Sequence, residues 1–134
     1  MKKVVASGYF DPIHVGHIKY LQEAKKLGDK LIVIINNDFQ AKRKKGKPFM
    51  RETERAVIVG ELKCVDSVRI SLDTDETVCN TLRAIHPDIF ANGGDRTSDE
   101  VPETEVCREL GIEMVFGVGG KKIQSSSNLI KNAK

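Results

Sequence analysis

The sequence predicts an α/β fold in three layers, a parallel sheet with helices on both faces. Three observations predict it. Short Val/Ile-rich runs alternate with segments of helical period along the chain. Those runs carry little polar alternation, as strands buried on both faces do. The connections between elements are short, which suits parallel strands joined by right-handed helical crossovers.

Residues 3–6 (KVVA) and 31–35 (LIVII) read as buried strands. Between them, Val15, Ile18, Leu21 and Ala24 recur at three-residue steps, so residues 15–27 read as a helix stopped by Gly28. Residues 52–62 form a second helix with Ala56, Val57, Val59 and Leu62 as its apolar positions, and residues 67–70 a short strand. Asp73, with Glu76 three residues on, predicts a capped helix that ends before His86-Pro87. Residues 88–91 (DIFA) are a strand running into the turn Asn92-Gly93-Gly94. Residues 103–110 are a helix closed by Gly111, residues 112–116 the last strand, and 128–134 a short final helix.

The chain has 134 residues, the size of one domain, so residues 1–134 are read as a single unit. Hydrophobic residues make up 40%, enough for one core, and charged residues 31%. No apolar run approaches the ~20 residues that span a bilayer. The start, MKKVVAS, lacks the apolar stretch of a signal peptide and reads as the first strand. Cys64, Cys79 and Cys107 are isolated and odd in number, which fits reduced thiols in a cytoplasmic protein. His14 and His17 lack a neighbouring cysteine or third histidine, so zinc is not expected there.

In a parallel sheet, ligands sit beyond the carboxyl ends of the strands. Four unusual segments follow strands and share that end: 8–17, 36–47, 92–96 and 117–127. The first, GYFDPIHVGH, is the most informative. Gly8 allows a tight turn after the strand. Asp11-Pro12 suits the start of a helix, or the turn persists to His14. Either way His14, Gly16 and His17 fall at the first helical turn, with both imidazoles on its inward face. Gly16 leaves room for an anion at the helix N-terminus, where free N–H groups favour phosphate. The alternative is a packed turn with two core histidines. Neither G-x-G-x-x-G after the first strand nor G-x-x-x-x-G-K-[ST] occurs.

The run KRKKGKPFMRETER supplies Lys42, Arg43, Lys44, Lys45, Lys47, Arg51 and Arg55. It reads as a basic loop able to close over a triphosphate, or as a plain solvated loop. No aromatic residues interleave with the lysines as a base-stacking platform, so nucleic acid is a disfavoured partner, and the net charge of +3 adds little. Asn92, Gly93, Gly94, Asp95 and Arg96 form either an ordinary turn or a glycine-lined ledge beside a nucleotide. Ser125, Ser126 and Ser127 precede the last helix, either as a polar tail or as a second phosphate cradle.

GYFDPIHVGH resembles the G-x-F-D-x-x-H-x-G-H signature of the cytidylyltransferase-like nucleotidyltransferases. Within them the chain looks most like the adenylyltransferase domain of bifunctional heptose-phosphate enzymes. The similarity continues through YLQEAKKLGDKLIVIINND, RETERAVIVGELKCVDSV, ANGGDR and SSSNLI. Glycerol-3-phosphate cytidylyltransferases and archaeal FAD synthases share much of the pattern. The resemblance implies a Rossmann-like α/β/α fold with a five-stranded parallel sheet ordered 3-2-1-4-5. It implies nucleotidyl transfer from a nucleoside triphosphate, AMP favoured, to a phosphorylated small molecule, releasing pyrophosphate. It also implies Mg²⁺ with the triphosphate and a homodimer. His14 and His17 match the signature histidines, and Ser125–Ser127 a Ser/Thr cluster at the last helix. Arg96 stands where the heptose enzymes usually carry an aromatic, and the basic run is richer here.

The residues suit that chemistry. A phosphomonoester is already anionic near neutral pH, its second pKa being ~6, so no general base is required. The step needs alignment and charge compensation. His14 and His17 are expected to donate to phosphate oxygens, and Lys42 or Lys44 to neutralise the triphosphate. Gly8, Tyr9, Phe10, Asp11, Gly16, Asn92, Gly94, Asp95, Arg96 and Ser125–Ser127 are expected to line the nucleotide site. Asp38, and Arg51 or Arg55, are expected at the acceptor. Asp11 either positions the metal or caps the helix. A nucleotide-binding regulatory protein on the same fold is the non-enzymatic alternative.

Overall fold

A computed structural model of the chain describes residues 1–93 and 101–120. Five parallel strands form one sheet: β1 (Lys3–Gly8), β2 (Lys30–Ile35), β3 (Ser67–Ile70), β4 (Ile89–Gly93) and β5 (Glu113–Val118). Their order is β3-β2-β1-β4-β5. The described helices are α1 (Val15–Lys25), α2 (Asp38–Lys45), α3 (Glu52–Gly60), α4 (Cys79–Ile85) and α5 (Thr104–Leu110). The fold class and the strand order are those expected. The helix expected over 128–134 lies outside the described residues.

The unbroken apolar runs follow from two buried faces. Val4, Ala6, Leu31, Val33 and Ile35 pack on one side with Leu21 and Ala24 of α1 and Val59 of α3. Val5, Ile32 and Ile34 face the other side with Leu82 and Ile85 of α4 and Val106 and Cys107 of α5. Alternate residues thus serve opposite cores, so a strand with no polar positions is what period-two geometry requires.

Three boundaries depart from expectation. First, residues 38–45 are a helix where a basic loop was expected. Asn37 accepts from the Gln40 N–H while Gln40 Oε1 accepts from the Asn37 N–H, a reciprocal cap. Gln40 is fully buried and also donates to the carbonyls of Asp75 and Thr77, tying the helix start to the segment after β3. Second, the helix expected to open at Asp73–Glu76 begins at Cys79. Asp73 still serves that helix, because its carboxylate accepts from the Asn80 and Thr81 N–H groups across an intervening bend. Third, Asn92 and Gly93 continue β4 rather than turn, since Gly93 pairs with Val118 beyond an irregularity after Ala91.

β1 and β4 are neighbours in space and far apart in sequence. The order of the sheet reverses between them, and the crevice of an open α/β sheet forms there. Their pairing stops at Ala6–Ala91, while β1 stays paired to β2 as far as Gly8–Ile35.

Candidate active site

The segment after β1 is folded tightly over the sheet end. A Cβ at Gly8 would lie 3.1 Å from the Phe10 ring, so any larger residue there would push that ring aside by a few tenths of an ångström. Phe10 is buried and takes the left-handed backbone conformation, φ 51°, at a cost of roughly 1–2 kcal/mol. Its ring meets the edge of His17 with centroids 4.8 Å apart. The Asp11–Pro12 peptide is cis.

His14, not Asp11, is the N-cap of α1. His14 Nδ1 accepts from the Gly16 N–H at 3.1 Å, and His17 Nδ1 accepts from the His14 N–H at 3.1 Å. The two rings stack at 3.8 Å. Because both Nδ1 atoms act as acceptors, each neutral imidazole carries its proton on Nε2 and is a donor there. Gly16 is required by the same arrangement: a Cβ would sit 2.9 Å from His14 Cε1. The sequence pattern placed two histidines at a helix start. The structure adds a fixed tautomer for both.

Asp11 is fully buried, and its two oxygens accept from the Phe49 and Met50 N–H groups at 2.8 and 2.6 Å. The expectation that it caps α1 is therefore corrected. It joins the β1–α1 segment to the segment that enters α3. Arg55 holds the same joint from the other side. Its side chain is completely buried. Nε donates to the Met50 carbonyl, Nη1 to the carbonyls of Tyr9 and Asn36, and Nη2 to Asp38 Oδ1 at 2.7 Å. Arg55 thus gives way as a phosphate ligand: its guanidinium is enclosed by protein oxygens. Asp38 answers Arg55, and its own N–H donates to Glu52, so it too belongs to the frame.

The exposed cations differ. Lys42, Lys44 and Arg51 are exposed, the first two on α2 and Arg51 as the N-cap of α3. Lys44 Nζ lies 4.7 Å from the centre of the Tyr9 ring, which brings the basic helix against the segment after β1. At the other lip of the crevice Asn92 is buried and donates weakly to the Phe90 carbonyl at 3.4 Å. Gly94, Asp95, Arg96, Ser125, Ser126 and Ser127 lie outside the described residues.

Sequence reasoning missed Asn36, Gln40 and Tyr20. Asn36 is buried and donates to Gln40 Oε1, while its carbonyl serves Arg55. The spacing Asn37-x-x-Gln40 is a capping-box signal that could have revealed α2. Nothing local in the sequence marks Tyr20, whose hydroxyl reaches between two strands.

Burial raises the thiols of Cys79 and Cys107, the latter to about 11, with Glu103 adding to both shifts. The three cysteines are free and take no part in the crevice described above.

The donor set bears on Mg²⁺. Among the described residues there is no group of three or more His, Cys, Asp or Glu side chains suited to a metal. Asp11 spends an oxygen on each of two amides. The donor set among the described residues is compatible with Mg²⁺ carried on triphosphate oxygens. Among the described residues, no helix is long and apolar enough to cross a membrane.

Residues 5–132 match the family model described as cytidylyltransferase-like. The chain is 38% identical over 135 residues to "Bifunctional protein HldE" of Geotalea uraniireducens (strain Rf4), covering 98% of this chain and 26% of that protein. It is 40% identical over 114 residues to "FAD synthase" of Aciduliprofundum boonei (strain DSM 19572 / T469), covering 85% of this chain and 75% of that one. It thus spans about a quarter of the bifunctional relatives and three quarters of the FAD synthase. Among solved structures, the lipopolysaccharide core biosynthesis protein from Thermoplasma volcanium GSS1 aligns with a TM-score of 0.74 at 36% identity, covering 87% of this chain and 94% of that one.

Proposed function

Because this chain belongs to the cytidylyltransferase-like family, we propose that it is a nucleotidyltransferase that moves AMP from ATP to a phosphorylated small molecule, a sugar phosphate of the heptose 1-phosphate kind. One observation carries the reading: two stacked imidazoles at the N-terminus of α1, each with Nδ1 committed to a backbone N–H and each therefore an Nε2 donor. A pair of neutral donors at a helix start suits phosphate oxygens.

In the reaction, an acceptor phosphate oxygen bonds to the α-phosphorus, and the bond from that phosphorus to the bridging oxygen breaks. Pyrophosphate leaves with the electron pair. His14 and His17 donate to phosphate oxygens and stabilise the charge that builds in the transition state. Lys42 and Lys44 compensate the triphosphate from α2, and Arg51, exposed at the start of α3, holds the acceptor phosphate in place of Arg55. Gly94, Asp95, Arg96 and Ser125–Ser127 complete the nucleotide site. When bound, Mg²⁺ would be carried by the triphosphate and would supply charge compensation for the leaving group. The chain works as one catalytic domain in a cytoplasmic homodimer.

A second reading has its own support: the chain spans 75% of an FAD synthase, so flavin mononucleotide is the alternative acceptor. Both readings attach AMP to a phosphomonoester, which favours ATP over CTP. A matrix of ATP and CTP against heptose 1-phosphate, flavin mononucleotide and glycerol 3-phosphate, read by pyrophosphate release, tests them. Release with ATP and one acceptor is expected. Tight ATP binding with no release from any pair points instead to a regulatory nucleotide-binding protein.

A further inference from the structure

The helix α2 has no apolar stripe. Phe39, Lys42, Arg43 and Lys44 are exposed, and of its described side chains only Gln40 and Ala41 are buried. A helix of 8 residues is too short to stand by propensity, and this one is too polar to be held by packing on a core. Hydrogen bonds from its first turn hold it instead.

Gln40 uses its whole side-chain amide. Oε1 accepts from Asn36 Nδ2 at 3.1 Å and from the Asn37 N–H at 3.0 Å. Nε2 donates to the carbonyls of Asp75 and Thr77 at 2.7 and 2.8 Å. Two donors and two acceptor sites are all that a glutamine amide offers, so none is left for a ligand. Asn37 repeats the pattern: Nδ2 donates to the carbonyls of Ser71 and Asp73, both at 2.9 Å, while Oδ1 caps the helix. Four donations from two amides thus tie the first turn of α2 to residues 71–77. That segment is itself fixed, since the buried Asp73 carboxylate accepts from the Asn80 and Thr81 N–H groups at the start of α4. The reciprocal cap needs only the two amide oxygens. The two nitrogens serve the tie, and the tie sets the direction of the helix.

Direction matters for what α2 carries. Lys42 and Lys44 follow Gln40 by two and four residues, so their Cα atoms stand roughly 3 and 6 Å along the axis from it. Lys44 Nζ lies 4.7 Å from the centre of the Tyr9 ring, on the segment that leads to His14 and His17. Ala41 offers little apolar area to keep the helix in this pose once the tie is cut.

We propose that Gln40 is a positioning residue: its amide, with that of Asn37, fixes α2 against residues 71–77 and so sets where Lys42 and Lys44 meet the triphosphate. This rests on the nucleotidyltransferase reading and deepens it, because both cations act from a helix whose direction Gln40 sets.

The test is a double-mutant cycle on the full chain. Gln40→Met keeps the length of the side chain, removes its part of the tie and adds no charge, while Asn37 Oδ1 still caps the N–H of residue 40. Dissociation constants for ATP and CTP are measured by calorimetry, and the triphosphate that the parent binds more tightly is followed. Gln40→Met is expected to raise that constant about tenfold with both lysines present and less than about twofold in the Lys42→Ala, Lys44→Ala background. A role in stability alone moves both backgrounds alike. A ratio of about threefold or more between the two fold-changes supports the proposal; a smaller ratio, or no binding of either triphosphate by the parent, overturns it. If Gln40→Met does not fold, Asn37→Ser keeps a capping hydroxyl and removes the Asn37 donations, and the same cycle with the same threshold decides. Binding without pyrophosphate release from any acceptor refutes the transferase reading, while the cycle still decides the role of Gln40.

Discussion

Replacing Arg55 with methionine tests whether this arginine is a strut or a ligand. The side chain is completely buried and donates to the carbonyls of Met50, Tyr9 and Asn36 and to Asp38. Methionine keeps much of the stem and removes every donor. Hydrogen bonds from a charged donor contribute roughly 1.5–3 kcal/mol each, but they do not add, and carbonyls near the surface regain water. Asp38 is 36% exposed and rehydrates easily, so the largest loss comes from the buried Asn36 carbonyl and from Met50. The expected destabilisation is about 3–5 kcal/mol, the range for breaking a buried charged network from one side. For a chain of this length that corresponds to a melting temperature lower by roughly 10–20 °C. Urea unfolding of Arg55→Met and of the conservative Arg55→Lys gives the value directly, with Lys expected between Met and the parent. A loss below about 1 kcal/mol, accompanied by a large rise in acceptor KM, would show Arg55 to be a substrate ligand and refute the strut.

His17→Ala removes the acceptor for the His14 N–H, which costs about 1 kcal/mol of cap energy, while turnover is expected to fall at least ~100-fold; turnover near the parent value in the pyrophosphate assay counts against the imidazole pair. Lys42→Ala and Lys44→Ala are expected to raise the KM for the triphosphate severalfold where the exposed Lys26→Ala does not, and equal small effects from all three would leave α2 as ordinary surface. Asp66 is held below the usual carboxylate range by a hydrogen bond from Lys25 and a second from the Leu31 N–H. Its stabilising contribution is therefore present above the unfolded pKa of ~3.9 and is lost as pH falls through the lower folded value. Asp66→Asn is expected to flatten the loss of stability with acid at pH 5 and below, by a small amount for so exposed a pair, and parallel curves for the two proteins would contradict this.

Much of the site was readable because its signal is local. GYFDPIHVGH encodes a strand end, a turn and a helix start within ten residues, and the structure adds the hydrogen-bond roles of the two imidazoles and the distant partners of Asp11. The basic run was read correctly for charge and wrongly for shape. The five cations in the segment 42–47 mark it as basic, while Asn37 and Gln40 just before it form the reciprocal cap that starts the helix. Asp73 was recognised as a cap, but its helix lies a bend further on, because a carboxylate can reach amides that are distant along the chain.

Residue type and order alone determined the α/β class, the alternation of buried strands with helices, and the position of the helix start that carries the two histidines. These rest on period, turn residues and caps, which act over a few residues. Only the tertiary structure decided that Arg55 is interior and Arg51 exposed, though both lie in one basic run. The same holds for Asp11, whose partners Phe49 and Met50 are 38 and 39 residues away, and for Tyr20, which reaches Ala91 across 71 residues. A side chain's charge is written in the sequence, but whether that charge meets solvent, a ligand or a distant carbonyl depends on which elements pack beside it.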